Sequence, residues 1–309
     1  MTIYAHITEF ADLPVVDFDP ARLPDVAPDA VAWRLSLTDF PTRDGDFADL
    51  VERFLAAVDP AKVTALIVGD WGEAYEESAP VELVAGLAPR LAGLKALFMG
   101  EMVSEQSEIS WITQADPAPL LTAYPGLEIL RIRGATQGLT LTPTRHTALR
   151  ELAIEAGGLP GHVVRAIGEC DLPALAHLEL WLGTDQYGGD TTVEDLAPIL
   201  GGERLPSLRS LGLRNAEIAD RVAVAVAGAP VVARLRELDL SLGVLSDEGA
   251  AALLAGQPLT HLRRLDLHHH YLSAEMADRL VAELPGVELD LSDVQPSDQD
   301  DDRYIAVSE

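Results

Sequence analysis

A short phrase recurs along the chain: an apolar residue, two variable positions, Leu, one variable position, and a second aliphatic residue. It stands at Leu127/Leu130/Ile132, Leu149/Leu152/Ile154 and Leu175/Leu178/Leu180, then at Leu208/Leu211/Leu213, Leu235/Leu238/Leu240 and Leu262/Leu265/Leu267. Upstream, Val63/Leu66/Val68 and Leu94/Leu97/Met99 continue the series, Ala32/Leu35/Leu37 begins it weakly, and Val287/Leu289/Leu291 closes it in shortened form. Repetition on a period of 20–50 residues outranks any local motif, because each unit buries its apolar side only by stacking on the next. The phrase predicts strands, since side chains alternate between the two faces of a strand.

Between the strands lie stretches of helical period. Phe47, Leu50, Val51, Phe54 and Leu55 follow i, i+3, i+4 and i+7, and 220–226, 247–254 and 274–284 read the same way. Ser246 and Ser273 stand as N-caps with acids in the following turn, and Pro125-Gly126, Pro173, Pro206 and Pro285-Gly286 end helices before the next strand. Strand and helix alternating in this way predict an α/β chain: a leucine-rich-repeat solenoid with a curved parallel sheet on the concave face and helices on the convex face. Residues 1–30 are expected to form an N-terminal cap with an edge strand at Asp12–Asp19, 31–292 the repeat domain, and 293–309 a disordered acidic tail around Asp298–Asp302. Insertions at 70–80, 100–112 and 182–194 interrupt the repeat, either as drift or as a binding edge.

The repeat with the sequence at 245–254 resembles the ribonuclease-inhibitor class of leucine-rich repeats over residues 31–291, although the Asn or Cys usual after the second Leu is replaced by Gly157, Gly183 and Gly243, among others. More narrowly, residues 109–134 resemble a family of bacterial cytoplasmic leucine-rich-repeat proteins. Genes of that family often lie beside those for peptide-modifying enzymes of the radical-SAM and ATP-grasp kinds. The resemblance therefore implies a recognition component of such a pathway, and it brings no catalytic residues with it.

The formal charge of −28 and a pI near 4.4 set the class of partner. Such a field repels phosphate backbones and anionic membrane surfaces and favours basic partners. Cys170 is the only cysteine, so no intrachain disulfide exists and a cytoplasmic location is expected. No phosphate-cradling loop, dinucleotide fingerprint, nucleophile elbow or zinc-binding helix occurs, so no cofactor and no catalysis are expected.

If the central leucines point inward, their neighbours line the other face. One column reads Arg131, Ala153, Glu179, Gly212, Asp239, Asp266, Asp290, and the next begins with Arg133 and includes Trp181, Arg214 and His268. Asp239, Asp266 and Asp290 on successive strands would lie ~4.8 Å apart, at a cost on the order of 1 kcal/mol per neighbouring pair in water. Two readings stay open: compensation by Arg214, Arg236 and Arg264, or a docking strip for a Lys/Arg-rich peptide. Phe98, Trp71, Trp111, Arg131 and Arg133 offer a second anchor set of the kind interfaces use. The contact residues expected for a protein or peptide partner are Arg131, Arg133, Glu179, Trp181, Arg214, Asp239, Asp266 and His268, on a monomer. The competing readings are a metal-assisted enzyme built on His268 and His270, with acids such as Asp293 nearby, or an inhibitor or immunity-type protein.

Overall fold

A computed structural model describes residues 3–37, 46–135, 138–296 and 303–309. Its frame is one open sheet of twelve strands that neighbour one another in chain order. They are β1 (Glu9–Phe10), β2 (Leu13–Asp17), β3 (Ala32–Leu35), β4 (Ala65–Val68), β5 (Ala96–Met99), β6 (Ile129–Arg133), β7 (Glu151–Glu155), β8 (His177–Gly183), β9 (Ser210–Ala216), β10 (Glu237–Asp239), β11 (Arg264–Asp266) and β12 (Glu288–Asp290). Only β1 and β2 pair antiparallel, and every later pairing is parallel. Eight helices occur among the described residues: α1 (Phe47–Ala57), α2 (Val81–Gly86), α3 (Ala118–Ala123), α4 (Gly161–Glu169), α5 (Val193–Leu200), α6 (Ala219–Ala227), α7 (Asp247–Ala255) and α8 (Ala274–Glu283). The helix starts follow the sequence signals. Ser246 accepts from the Glu248 amide and Ser273 from the Met276 amide, each satisfying an otherwise orphan donor.

Register fixes the faces. Leu66, Leu97, Leu130, Leu152, Leu178, Leu211, Leu238, Leu265 and Leu289 align as one row across β4 to β12. All but Leu289 are essentially inaccessible, and all pack in one core with the apolar sides of the helices. Burying a leucine side chain contributes roughly 1.5–3 kcal/mol, so the row alone specifies which way each strand faces. No helix among the described residues is long and apolar enough to cross a membrane.

The opposite face is not uniformly open. An N-terminal arm covers its first strands, where Phe10 packs with Ala32, Ala65, Ile67, Ala96 and Phe98 in a second, smaller core. A fully buried carboxylate, Glu101, pins this arm: it accepts from the Ile7 amide at 3.0 Å and contacts His6 Nδ1 at 2.9 Å and Arg34 Nη1 at 3.0 Å. Arg34 in turn pairs with Asp17 of β2. Phe98, expected as an exposed anchor, is therefore inaccessible.

The far end of the chain also returns to the sheet. Residues 303–309, expected to be part of a disordered tail, instead lie as a strap across the loops that follow the strands, with Ile305, Ala306 and Val307 buried. The acidic run itself (297–302) lies outside the described residues. Asn215, fully buried at the end of β9, clamps the strap: its side chain donates to the Val307 carbonyl and accepts from the Val307 amide at 3.0 Å. The Ala306 amide donates to the Leu242 carbonyl, Ser110 Oγ to the Ser308 carbonyl, and the Tyr187 hydroxyl to Glu309. Two of the three insertions, 100–112 and 182–194, thus receive the chain's own end. At Gly157 an added Cβ would lie 2.4 Å from the Ser308 carbonyl oxygen, so the strap's path requires a residue without a side chain there.

Asn215 has φ +52°, a conformation that disfavours Ala. Asn215→Ala should cost on the order of 2–4 kcal/mol by urea denaturation, from backbone strain plus the unpaired strap groups. Asn215→Gly should recover only the backbone part.

Candidate functional site

Where the arm ends, the face opens. In β8 to β11 the residues flanking the leucine row surround a cavity of about 370 Å³, lined by His177, Glu179, Ser210, Gly212, Arg214, Glu237, Leu238, Asp239, Arg264, Asp266 and His268. Parallel register builds it: Ser210 on β9 stands between His177 on β8 and Glu237 on β10, and Gly212 between Glu179 and Asp239. The same register aligns Asp239, Asp266 and Asp290 on successive strands.

Their charges are largely answered within the face. Arg214 places Nη1 2.9 Å from Glu179 Oε1 and Nε 3.1 Å from Asp239 Oδ2, so it spans from β8 to β10 across Gly212. Nε also reaches Ser241 Oγ at 3.0 Å, and the guanidinium lies 5.4 Å from the Trp181 ring centroid. Arg264 Nη2 sits between Asp266 at 2.8 Å and Asp290 at 3.3 Å. The compensation reading of the aspartate column is thus present in the geometry, supplied by Arg214 and Arg264.

Burial raises the cost of each charge, and the partners decide the outcome. Glu179 is pushed up by burial, but His177, Arg214 and Trp181 outweigh that and hold its carboxyl far below the usual range. Asp266 is likewise opposed by burial yet lowered to about 2, by His268 and Arg264. Asp239 goes the other way: burial raises it and Arg214 only partly offsets the shift. The hydrogen bond from His268 Nδ1 to Asp266 Oδ1 at 2.7 Å holds the His268 imidazole above its ordinary value despite burial.

Of the residues expected from sequence, Glu179, Arg214, Asp239, Asp266 and His268 meet at this cavity. Trp181 lies directly behind it, donating Nε1–H to Glu179 at 2.7 Å and packing with Ala306 and Val307 of the strap. Arg131 and Arg133 form a separate group. Arg133 is buried, bonded to Glu155 Oε2 at 2.7 Å and to the Met102 carbonyl at 2.8 Å, so it is a structural residue rather than a contact surface. Arg131 stays partly exposed beside Glu155, and both guanidiniums lie over the Phe98 ring. Trp71 is in the core, whereas Trp111 is exposed and packs on Tyr75 at 5.4 Å. His177, Ser210, Gly212 and Glu237 belong to the site without being expected contacts, and Arg264, expected only as a compensating charge, also lines it. Reading down the columns beside the leucine row reaches all of them.

The histidine run does not form a joint metal site. His270 is fully buried, with Nε2 against the Leu291 carbonyl and Nδ1 accepting from the Leu272 amide, so both ring nitrogens are used. His269, with φ +57°, turns toward Asp293 and the Tyr304 carbonyl. Asp266, His268 and Asp290 do approach within 4.8 Å, but Arg264 already lies between the two carboxylates. His177 links Ser210 Oγ (2.9 Å) to Glu179 Oε2 (3.7 Å) in a serine–histidine–acid order. Glu237 Oε2, 3.4 Å from Ser210 Oγ, would repel an oxyanion developing there.

No family model matches the chain, and no curated protein matches it. Among the solved structures that match is the crystal structure of a Bacteroides fragilis protein, a structural-genomics target. It is 32% identical, with a TM-score of 0.78, over 85% of this chain and 75% of that one. The two chains belong to one family. What they share is the open α/β sheet, and what the face binds must be argued from its own side chains.

The raised His268 value makes its pairing a pH-dependent contribution. It is fully present below the ordinary histidine pKa of ~6.5 and is lost as pH rises through the folded value. His268→Gln should therefore lower stability most near pH 5 and least near pH 9. In an NMR titration His268 should titrate above the usual histidine value in the native protein and return toward it in Asp266→Asn.

Proposed function

We propose that the chain is a leucine-rich-repeat solenoid that acts as a non-catalytic scaffold. Its partner is a protein or peptide presenting basic residues to the open face of β6 to β12. The observation that carries this reading is the cavity on that face, where four carboxyl groups (Glu179, Glu237, Asp239, Asp266) stand against two guanidiniums (Arg214, Arg264). The surrounding net charge of −28 would steer a cationic segment toward it. Rigid placement lowers the ordering cost of association, because Glu179, Arg214, Asp239 and Asp266 are already held by hydrogen bonds before a partner arrives.

A monomeric, cytoplasmic protein fits this role. Cys170, the only cysteine, is buried, with its thiol pushed up by burial, and serves as a small core residue. The likeness of residues 109–134 to the bacterial repeat family makes recognition of a peptide for a modifying enzyme the most specific form of the proposal.

Selection of a random peptide display library on the full-length protein tests it. At 50 mM salt the enriched sequences should carry Lys or Arg, and their retention should fall at least tenfold at 500 mM salt. Asp239→Asn with Asp266→Asn should weaken the same peptides severalfold. Enrichment of acidic sequences, or of none, would overturn the reading.

A further inference from the structure

The turns that lead into the strands, opposite the loops crossed by the strap, carry a local charge at odds with the rest of the chain. Those at 201–209, 228–236 and 256–263 precede β9, β10 and β11, and they hold five arginines (Arg204, Arg209, Arg234, Arg236 and Arg263) against one acid, Glu203. The whole chain has 50 acidic and 22 basic residues, the reverse balance. Parallel pairing gathers the arginines. The Arg236 amide donates to the Arg209 carbonyl and the Arg263 amide to the Arg236 carbonyl, each at 2.7 Å, so the three stand in a row at the strand spacing of ~4.8 Å. Arg234 joins the first two turns, with Nη2 donating to the Leu205 carbonyl at 2.6 Å.

Elsewhere arginines find carboxylates, as Arg34, Arg90 and Arg165 do. Among the described residues, Arg204, Arg209, Arg234 and Arg236 have no carboxylate within 4.0 Å, and Arg263 has Glu237 at 3.5 Å. Arg209 Nη1 donates only to the Leu208 and Pro206 carbonyls. Arg234 Nε is the one buried side-chain nitrogen or oxygen among the described residues that lacks a hydrogen-bond partner, and its Nη1 lies at the surface with none either. Burial and the neighbouring Arg209 push the Arg234 guanidinium down from its ordinary value. Helix ends answer part of the charge: α5, α6 and α7 finish just before these turns, and each C-terminus is equivalent to roughly −0.5 charge. Five guanidiniums less Glu203, Glu237 and three half-charges still leave roughly +1.5 on the surface of an acidic chain.

Independently of what the open face binds, we infer that the turns into β9, β10 and β11 form a docking surface for a short acidic segment of a partner protein, with two or three carboxylates set on Arg204, Arg209, Arg234 and Arg236. Guanidinium forks match carboxylates with two parallel hydrogen bonds. The row from Arg209 to Arg263 spans two strand spacings, roughly 9.6 Å, the length of about three extended residues. The acidic remainder of the chain limits the guest to that size. A nucleic-acid strand, charged along its whole length, would run past the arginines onto surface that repels it. A short segment feels chiefly the groups it touches, because salt at physiological strength screens charges beyond about 8 Å.

The test is an NMR titration of the full chain, following backbone amides and arginine Nε–H signals. The probes are acetyl-Glu-Glu-Glu-amide, its all-glutamine counterpart and a fifteen-nucleotide single-stranded DNA. Saturable shifts are expected with the glutamate peptide at Arg209, Arg236 and Arg234 Nε–H, with binding of the glutamine peptide about tenfold weaker and no saturable shift with DNA. Arg209→Gln with Arg236→Gln, both exposed positions, should weaken the glutamate peptide about fivefold while the leucine-row amides keep their native positions. Arg53→Gln, an exposed arginine on α1, should leave its binding within about twofold. No saturable shift at the arginines, equal binding of the glutamine peptide, or unchanged affinity in the double variant overturns the docking surface. DNA that binds as tightly as the glutamate peptide overturns the assignment to a short acidic segment.

Discussion

The alignment of one leucine per strand, side by side across nine strands, is the constraint on which the rest of the structure depends. Parallel strands held ~4.8 Å apart leave no freedom in which residues become neighbours. Once Leu178, Leu211, Leu238 and Leu265 are locked against the helices, Glu179, Gly212, Asp239 and Asp266 must fall in a line on the other face. A shift of one residue in any pairing would send a leucine to solvent and a carboxylate into the core, which the burial energy forbids. The charged face is therefore a by-product of packing that is accurate to the residue.

That face balances like charges by interleaving. Asp239, Asp266 and Asp290 would repel as a bare column, and two arginines, Arg214 on β9 and Arg264 on β11, each span more than one acid. The balance is uneven. Asp266 and Glu179 are held well ionised by several donors, while Asp239, with fewer donors for its degree of burial, is shifted the opposite way. Such unevenness, more than the total charge, is what gives the surface positions with differing appetite for a guest.

Much of this was legible in the sequence, because periodicity reports directly on burial. The strand positions, the inward leucines, the aspartate column and the Ser246 and Ser273 caps all follow from spacing. What spacing could not report was coverage by segments distant in the chain. Phe98 has the same position in its repeat as Arg131, yet an arm bearing Phe10 hides it, and the buried Glu101 that pins this arm carries no local signal. Arg133 looked like an exposed anchor, but Glu155 on the next strand and the Met102 carbonyl claim it. The glycines at 157 and 183 registered only as departures from a repeat consensus. At 157 the physical reason is the backbone that passes over it.

That passing backbone changes the character of the whole array. A stack in which every unit touches only its neighbours can fray from either end, and its stability is a sum of local terms. Here Ser110 is bonded to Ser308 and Asn215 to Val307, joining residues 198 and 92 positions apart. The strap ties loops from early, middle and late strands into one mechanical loop, so the units cannot peel away one at a time without first releasing it. Contacts of such long sequence separation raise the contact order of an array that would otherwise be built from neighbouring units, and so slow its folding.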